Sequence, residues 1–506
     1  MIHLDGNSLT VESFHQIVLG LEPVALSEPA RKNIRATRNI VDTAIKNGDR
    51  VYSINTGFGY LSKVTIPNEK LKELQVNLIR SHASGIGEVH TETESRAILL
   101  LRTNVLAKGF SGVRLELVEL LVEMLNKKVH PVIPTKGSVG ASGDLAPLAH
   151  LAAVVLGEGE AYYEGARMAG KAALEKAGIK AIELAPKEGL SLINGTQQMT
   201  AMGVLNLKKA EELVDLADLI TSASLDGVLG TEKAFAGWVH ETRPYLGQKR
   251  SAELVRRFME GSEIAKSHEG CDRVQDPYSF RCAPQVHGAI RELLRFVRET
   301  LSIELNAATD NPLVNAETGE LISQGNFHGQ PIAFALDNLA MALSELASLS
   351  ERRMAKLIDP QFSSLPAFLV KDEGVNSGFM IPHVAAASLV SENKLLSHPA
   401  STDSIPTSNE KEDHVSMGPL AARKAKTALQ NTTYVLAIEA LAACQALDFR
   451  KPLKPGRGPA FLHHEIRKLV ATLEADRYFH ADIETAFKLL DSGELHQKAK
   501  KEGMWR

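Results

Sequence analysis

Apolar residues in the second half of the chain recur at threes and fours over long distances. Ile332, Leu336, Leu339, Leu343, Leu346 and Leu349 form one such stripe, and neither glycine nor proline interrupts Ile332 to Ile358. This spacing gathers the apolar side chains on one side of an α-helix. Ala289 to Ala308 and Leu420 to Phe449 are likewise free of both breakers, and Gln197 to Leu225 holds a single glycine. Helices of ~20 to 30 residues exceed the globular average and predict a bundle of long rods.

Before about residue 190 the pattern is more broken. Helical stretches, Glu94 to Lys108 and Leu115 to Asn126, alternate with short segments such as Leu9-Thr10-Val11 and Val51-Tyr52-Ser53-Ile54. Val155 to Gly170, rich in Gly, Glu and Tyr, predicts a hairpin or loop excursion. After Phe449 a basic turn, Lys451 to Gly458, leads into two more predicted helices. The expected fold is mainly α: a mostly helical N-terminal lobe with a few short strands over residues 1–190, then a long-helix bundle over 191–506.

Composition narrows the function classes. With 44% apolar and 23% charged residues and a net charge of −4, the chain has an ordinary globular balance and no basic tract. Nucleic acid and anionic membrane surfaces are thereby excluded as main partners. Three cysteines, Cys271, Cys282 and Cys444, stand in no metal-ligand spacing and fit a reducing compartment. The start, Met1 to Gly6, lacks the basic and apolar regions of a signal peptide, and no apolar run approaches the ~18 to 20 residues of a membrane span. A cytoplasmic location is the expectation. Aromatics make up only 5%, and the long helices are rich in Ala and Leu, so a homo-oligomer with merged bundles is expected.

Gly137-Ser138-Val139-Gly140-Ala141-Ser142-Gly143-Asp144-Leu145-Ala146-Pro147-Leu148-Ala149-His150 stands apart from all of this. Its three glycines are too permissive for a stable helix or strand. One reading is a turn before a helix, with Ser142 or Asp144 as N-cap and Pro147 in the first turn. The tripeptide Ala141-Ser142-Gly143 also allows a backbone reaction, in which the unhindered Gly143 nitrogen attacks the Ala141 carbonyl. Loss of two waters, one carrying the Ser142 hydroxyl oxygen, gives 4-methylideneimidazol-5-one (MIO), an electrophile made without any external cofactor.

The whole run resembles the signature of the MIO-containing aromatic amino acid ammonia-lyases. Other stretches agree in order along essentially the full chain. Tyr52-Ser53-Ile54-Asn55-Thr56-Gly57 resembles a family loop whose tyrosine works as a base, with Ser53 where glycine is usual. Ser81-His82 falls on the family's side-chain selector and looks like its histidine-directed version. Leu192-Ile193-Asn194-Gly195-Thr196 implies that Asn194 helps hold the MIO oxygen and the substrate. Gln275, Tyr278 and Arg281 map onto a substrate loop, with Arg281 suited to a carboxylate and Tyr278 a second candidate for proton transfer. Phe327 would sit near the electrophile, and Glu412 would meet the substrate imidazole, although Glu410-Lys411 replaces the family's usual Asn-Gln. A metal is disfavoured at Glu412-Asp413-His414, because adjacent residues rarely face one ion.

The resemblance implies an aspartase/fumarase-like helical fold and a homotetramer with active sites shared between subunits. It also implies elimination of ammonia from L-histidine to give trans-urocanate, with Ala141, Ser142 and Gly143 supplying the MIO. The rivals are a tyrosine- or phenylalanine-directed member, an aminomutase with the same site, and a non-catalytic helical scaffold. His463-His464-Glu465 and His496 are expected to be solvated helix faces.

Overall fold

Short polar side chains decide where the first helices begin. Thr10 Oγ1 accepts the Ser13 N–H and Ser13 Oγ accepts the Thr10 N–H, a reciprocal cap that opens helix Val11–Val18. Thr91 and Glu94 cap helix Glu92–Ala107 in the same way. The Leu9-Thr10-Val11 segment is therefore a helix start and not a strand, because the cap outweighs the extended preference of its β-branched residues. Val51 and Tyr52 enter a turn, where Asn55 Oδ1 accepts the Val51 N–H at 3.0 Å. The computed structural model describes residues 1–52 and 54–505, and Ser53 lies outside the described residues.

The described chain is mainly helical, and its strands are only two to four residues long. The excursion after Val155 is a hairpin, with Glu160–Tyr163 antiparallel to Ala166–Ala169 and His130–Pro131 added at its edge. Ile2–Leu4 pairs in parallel with Val24–Leu26, and Ile86–Val89 pairs antiparallel with Pro134–Lys136.

The contacts divide the chain into two units that are discontinuous in sequence. One comprises Met1–Leu205, Arg298–Asp337 and Pro399–Arg423; the other comprises Asn206–Val297, Asn338–His398 and Lys424–Arg506. The sequence reading set a single boundary after residue 190. Hydrophobic period reports that a helix has a buried face, not which segments share its core, so segments 298–337 and 399–423 were legible only as parts of a bundle.

The first unit is built around helix Glu92–Ala107, which is buried on every side after its first turn. Even its arginines are inside. Arg96 donates to the carbonyls of Ile17 at 2.9 Å and Leu125 at 2.5 Å, closing the ends of helices Val11–Val18 and Leu115–Asn126. Asn104 Nδ2 donates to the Leu305 carbonyl at 2.9 Å, just past the end of helix Ala283–Glu304. That helix was expected at Ala289 to Ala308. It stops earlier because Asn306 turns to pair with both backbone groups of Leu9.

The same helix begins earlier than expected because Gly288 is not a breaker. In the second unit a Cβ on Gly288 would stand 2.4 Å from Gln248 N, and one on Gly247 would stand 2.4 Å from Gly288 O. The two glycines let helix Leu246–Met259 touch its neighbour backbone to backbone, which repays their poor helix propensity. Deeper in this unit Arg353 donates a fully buried pair of hydrogen bonds to Glu439, at 2.6 and 2.8 Å, and Ser224 and Ser350 donate to the same carboxylate.

The other long helices are Gln197–Gly227, Gln330–Leu357 and Gly418–Phe449. Gln330–Leu357 is long and apolar enough in composition to cross a bilayer, yet most of that stretch is buried within the structure. Three helices, not two, follow the basic turn: Arg457–Arg467, Phe479–Asp491 and Glu494–Lys501. His464 is exposed as expected, but His463 and His496 are less solvated. His463 faces Asp448 at 2.9 Å, and His496 faces Asp215 at 3.1 Å while stacking on Trp505.

Candidate active site

The glycine-rich stretch folds as a bent loop pressed against a second glycine. Gly140 and Gly143 have φ of +72° and +75°, and Gly143 bridges to Gly195. A Cβ on Gly143 would stand 2.1 Å from Gly195 O, and one on Gly140 would stand 2.4 Å from Ser416 Oγ. No other residue fits either position without moving backbone or the buried Ser416.

Asp144 fastens the contact. Its N–H donates to Gly195 O at 2.7 Å, and its carboxylate accepts the Gln198 N–H at 2.5 Å and, at longer range, the Met199 N–H. The sequence reading made Ser142 or Asp144 the cap of the helix that follows. Helix Ala146–Val155 has no side-chain cap, although Pro147 does occupy its first turn. Asp144 instead caps the distant helix Gln197–Gly227, a choice that only tertiary structure reveals. Burial pushes the Asp144 carboxyl up to about 7, with the two N–H donors opposing.

A cavity of about 670 Å³ opens over this loop, and its described lining belongs to the first unit. Tyr52, His82, Ser142, Asn194 and Glu412 all line it. Residues predicted at separations of up to several hundred positions are thus brought together. Ala141 and Gly143 are buried in the loop behind Ser142.

Ser142 Oγ donates to Glu412 Oε1 at 3.1 Å. Glu412 Oε2 accepts from Thr407 Oγ1 and Ser408 Oγ, both at 2.7 Å. The carboxylate is therefore held from one side, with its other oxygen directed at the cavity. Its turn is tight: Ser408, Asn409 and Glu410 have φ of 52°, 55° and 60°. The Glu410-Lys411 departure falls on this turn and leaves the Glu412 carboxylate in the cavity. Asp413 and His414 are exposed, and the His414 ring stacks on His328 at 5.7 Å. Among the described residues no group of three or more His, Cys, Asp or Glu is placed to hold a metal.

His82 ends helix Leu71–His82, and its Nδ1 lies 2.9 Å from the Leu78 carbonyl. A carbonyl only accepts, so that contact assigns the proton to Nδ1 and leaves Nε2 as an acceptor. Burial lowers the His82 pKa, against the raising effects of the Leu78 carbonyl and Glu412, which favours this neutral form. The Tyr52 hydroxyl accepts the Gly59 N–H at 3.2 Å. Burial, helped by the Glu412 charge, raises the Tyr52 phenol, and the Gly59 bond only partly offsets this. The sequence reading required a phenol pulled down by donors or positive charge; within one chain its surroundings act in the opposite direction. Asn194 Oδ1 is buried without a hydrogen-bond partner among the described residues, while the Asn194 carbonyl accepts from Arg102 Nη1 at 2.7 Å.

The remaining predicted residues lie elsewhere. Gln275, Tyr278 and Arg281 belong to the second unit and are not among the cavity's lining residues. Tyr278 is 69% exposed, Arg281 stacks over its ring at 4.6 Å, and Arg281 Nε donates to the Asp276 carbonyl at 3.0 Å. Phe327 is in the first unit, half-buried, but is not a lining residue either. Sequence reasoning missed Thr407, Ser408 and Arg102. The first two had a signal, hydroxyl residues shortly before a singled-out carboxylate; Arg102 had one too, a charge directly after the apolar run Ala97 to Leu101.

The sequence profile described as aromatic amino acid lyase matches residues 9–468. A protein of Myxococcus xanthus (strain DK1622) named histidine ammonia-lyase is 52% identical over 494 residues, covering 98% of this chain and 97% of its own. The crystal structure of histidine ammonia-lyase from Trypanosoma cruzi superposes with a TM-score of 0.91 at 41% identity, covering 100% of this chain and 96% of that one. Tyrosine aminomutase from Streptomyces globisporus superposes with a TM-score of 0.93 at 37% identity, covering 99% and 98%. A match of this extent, on a chain whose glycine-rich loop, Asn194 and Tyr52 meet at one cavity, leaves a single conclusion: the chain belongs to the aromatic amino acid lyase family.

Proposed function

We propose that the chain is a histidine ammonia-lyase, converting L-histidine to trans-urocanate and ammonia without oxidation. One observation carries the choice of substrate: His82 and Glu412, two side chains able to hydrogen-bond an imidazole, line the same cavity as Ser142. The His82 Nε2 acceptor takes the N–H of a neutral imidazole, and the Glu412 carboxylate takes the second N–H that a protonated ring carries. A phenyl or phenol ring covers one or both of these half-buried groups without a hydrogen bond in return. The names of the relatives at about half identity agree with this reading.

The Ala141-Ser142-Gly143 loop fits an MIO. Gly143 is squeezed against Gly195, the Ser142 hydroxyl is beside a carboxylate, and the buried amide of Asn194 lacks a partner on its oxygen side. Ring closure joins the Gly143 nitrogen to the Ala141 carbonyl carbon and releases two waters, one containing Ser142 Oγ. Asn194 would hold the ring oxygen through its Nδ2 donor, by the logic of an oxyanion hole, and its unpaired Oδ1 stays free to accept from substrate. The group supplies an electrophile that turns the substrate ammonium into a better leaving group. Tyr52 is the proposed base for the β-proton, Tyr278 a second proton-transfer group, and Phe327 a packing surface near the ring. Gln275 and Arg281 are proposed to bind substrate, Arg281 through the carboxylate. No external cofactor is required.

A homotetramer with shared sites is the proposed assembly, in the cytoplasm. Helix Met380–Leu396 supports it, since Ile381, Val384 and Leu395 are 62%, 55% and 77% exposed in the isolated chain. Apolar side chains in such a row are better covered by another copy than left in water.

Each unpaired buried polar group costs ~1 to 3 kcal/mol, so kcat/KM for histidine should exceed that for phenylalanine or tyrosine by about 100-fold or more. Urocanate absorbance and product chromatography measure this; a preference for tyrosine or phenylalanine, or accumulation of a β-amino acid, contradicts the assignment. Because burial raises the Tyr52 phenol, a base at this position gains its active ionised form as pH rises, so kcat/KM climbs toward alkaline pH. Placing the more acidic 3-fluorotyrosine at position 52 should move that rising limb to lower pH, and an unmoved limb removes Tyr52 from the role. Shared sites are tested by co-expressing Tyr52→Phe with Arg281→Ala, each inactive alone. Mixed tetramers should regain part of the activity, whereas verified mixed tetramers without recovery would assign the pair to one chain.

A further inference from the structure

Arg102 is fully buried near the C-terminal end of helix Glu92–Ala107. Among the described residues it makes one hydrogen bond, from Nη1 to the Asn194 carbonyl at 2.7 Å, while its Nε and Nη2 are buried without a partner there. The buried carboxylates Asp144 and Asp310 act on it electrostatically, yet desolvation still draws its pKa down to about 10. Burying a guanidinium on such terms is costly, and a leucine or methionine would extend the apolar helix at lower cost. Arg96, two turns earlier, makes the contrast clear. It closes two helix ends, neither among the cavity's lining residues, and that structural task explains it.

The one bond of Arg102 falls on the peptide linking Asn194 to Gly195. The carbonyl and N–H of a trans peptide point in opposite directions, so fixing the carbonyl fixes the rotation of the whole plane. Gly195 follows with φ of +145°, a conformation L side chains rarely adopt. A Cβ there would stand 2.5 Å from Gln197 Oε1 and 2.7 Å from Thr309 Oγ1. The Gly195 carbonyl in turn accepts the N–H of Asp144, the residue directly after Gly143. Arg102 therefore stands behind both the Asn194 side chain that lines the cavity and the backbone wall against which Gly143 is pressed.

We infer that Arg102 is a positioning residue for ring closure: by holding the Asn194 carbonyl it keeps Gly195 in place as the wall that bends Ala141-Ser142-Gly143. The inference rests on the proposed MIO reading. Without the guanidinium the Asn194–Gly195 peptide can rotate, and the Gly143 nitrogen loses its approach to the Ala141 carbonyl carbon. The bond that forms and the two waters that leave are unchanged; only the geometry of approach is lost.

The test is the intact mass of freshly refolded full-length chain, followed in time, for wild type, Arg102→Lys, Gly195→Ala and the control Arg96→Lys. Folding is verified by circular dichroism and sedimentation. Closure lowers the mass by about 36 Da, the weight of two waters. Wild type and R96K should close fully. R102K retains the charge but loses the directed fork, and its closure should be about 100-fold slower, the order expected when reacting groups are misplaced by an ångström. Its residual activity should show a reduced kcat with KM for histidine little changed. G195A shifts the same wall without disturbing a buried charge and should also accumulate full-mass chain, which keeps the inference testable should R102K fail to fold. R102K or G195A that folds and closes as fast as wild type overturns the inference. A wild-type enzyme that keeps its full mass while turning over histidine would instead overturn the MIO reading itself.

Discussion

The contact between Gly143 and Gly195 is the constraint on which the site depends. Two backbones approach so closely that a single methyl group on Gly143 would lie 2.1 Å from the opposing carbonyl oxygen. Around that contact the first unit places three polar ties: the Asp144 N–H on Gly195, the Asp144 carboxylate on helix Gln197–Gly227, and Arg102 on Asn194. Such bonds are strong because the surroundings are dry, and for the same reason an unmet group there would be expensive. The loop is thereby held in a shape that a free glycine-rich peptide would occupy only a small part of the time.

Burial also sets the chemistry of the cavity, and in one respect against it. It favours a neutral His82, suited to accept from an imidazole N–H. It also raises the Tyr52 phenol, which makes a weaker supply of phenolate. Positive charge or further donors brought to the cavity mouth by a neighbouring copy would reverse that second effect. The exposed row on helix Met380–Leu396 and the Gln275, Tyr278 and Arg281 side chains of the second unit are the features that the proposed assembly would use.

Much of this was legible in the chain because it is local. Breaker-free stripes of apolar residues located the long helices to within a few positions, and the hairpin after Val155 followed from its turn residues. The motifs around Tyr52, His82, Ser142, Asn194 and Glu412 pointed to residues that the fold does gather at one cavity. What escaped was set by partners distant in sequence. Gly288 reads as a helix breaker until Gln248 is seen against it, and Asp144 reads as a cap for its own helix until Gln198 is seen above it. Thr10 is the opposite case, a local cap overlooked because its neighbours favour strands. The discontinuity of the first unit had no periodic signature.

The central claim is that this bent loop exists to become an electrophile, and peptide mapping tests it directly. Trypsin should release residues 137–167 as one fragment, since Lys136 and Arg167 flank a stretch without other basic cleavage sites. Tandem mass spectrometry of that fragment from active enzyme should find it about 36 Da light, with the deficit confined to Ala141, Ser142 and Gly143. A fragment of full mass from enzyme that converts histidine to urocanate would contradict the account.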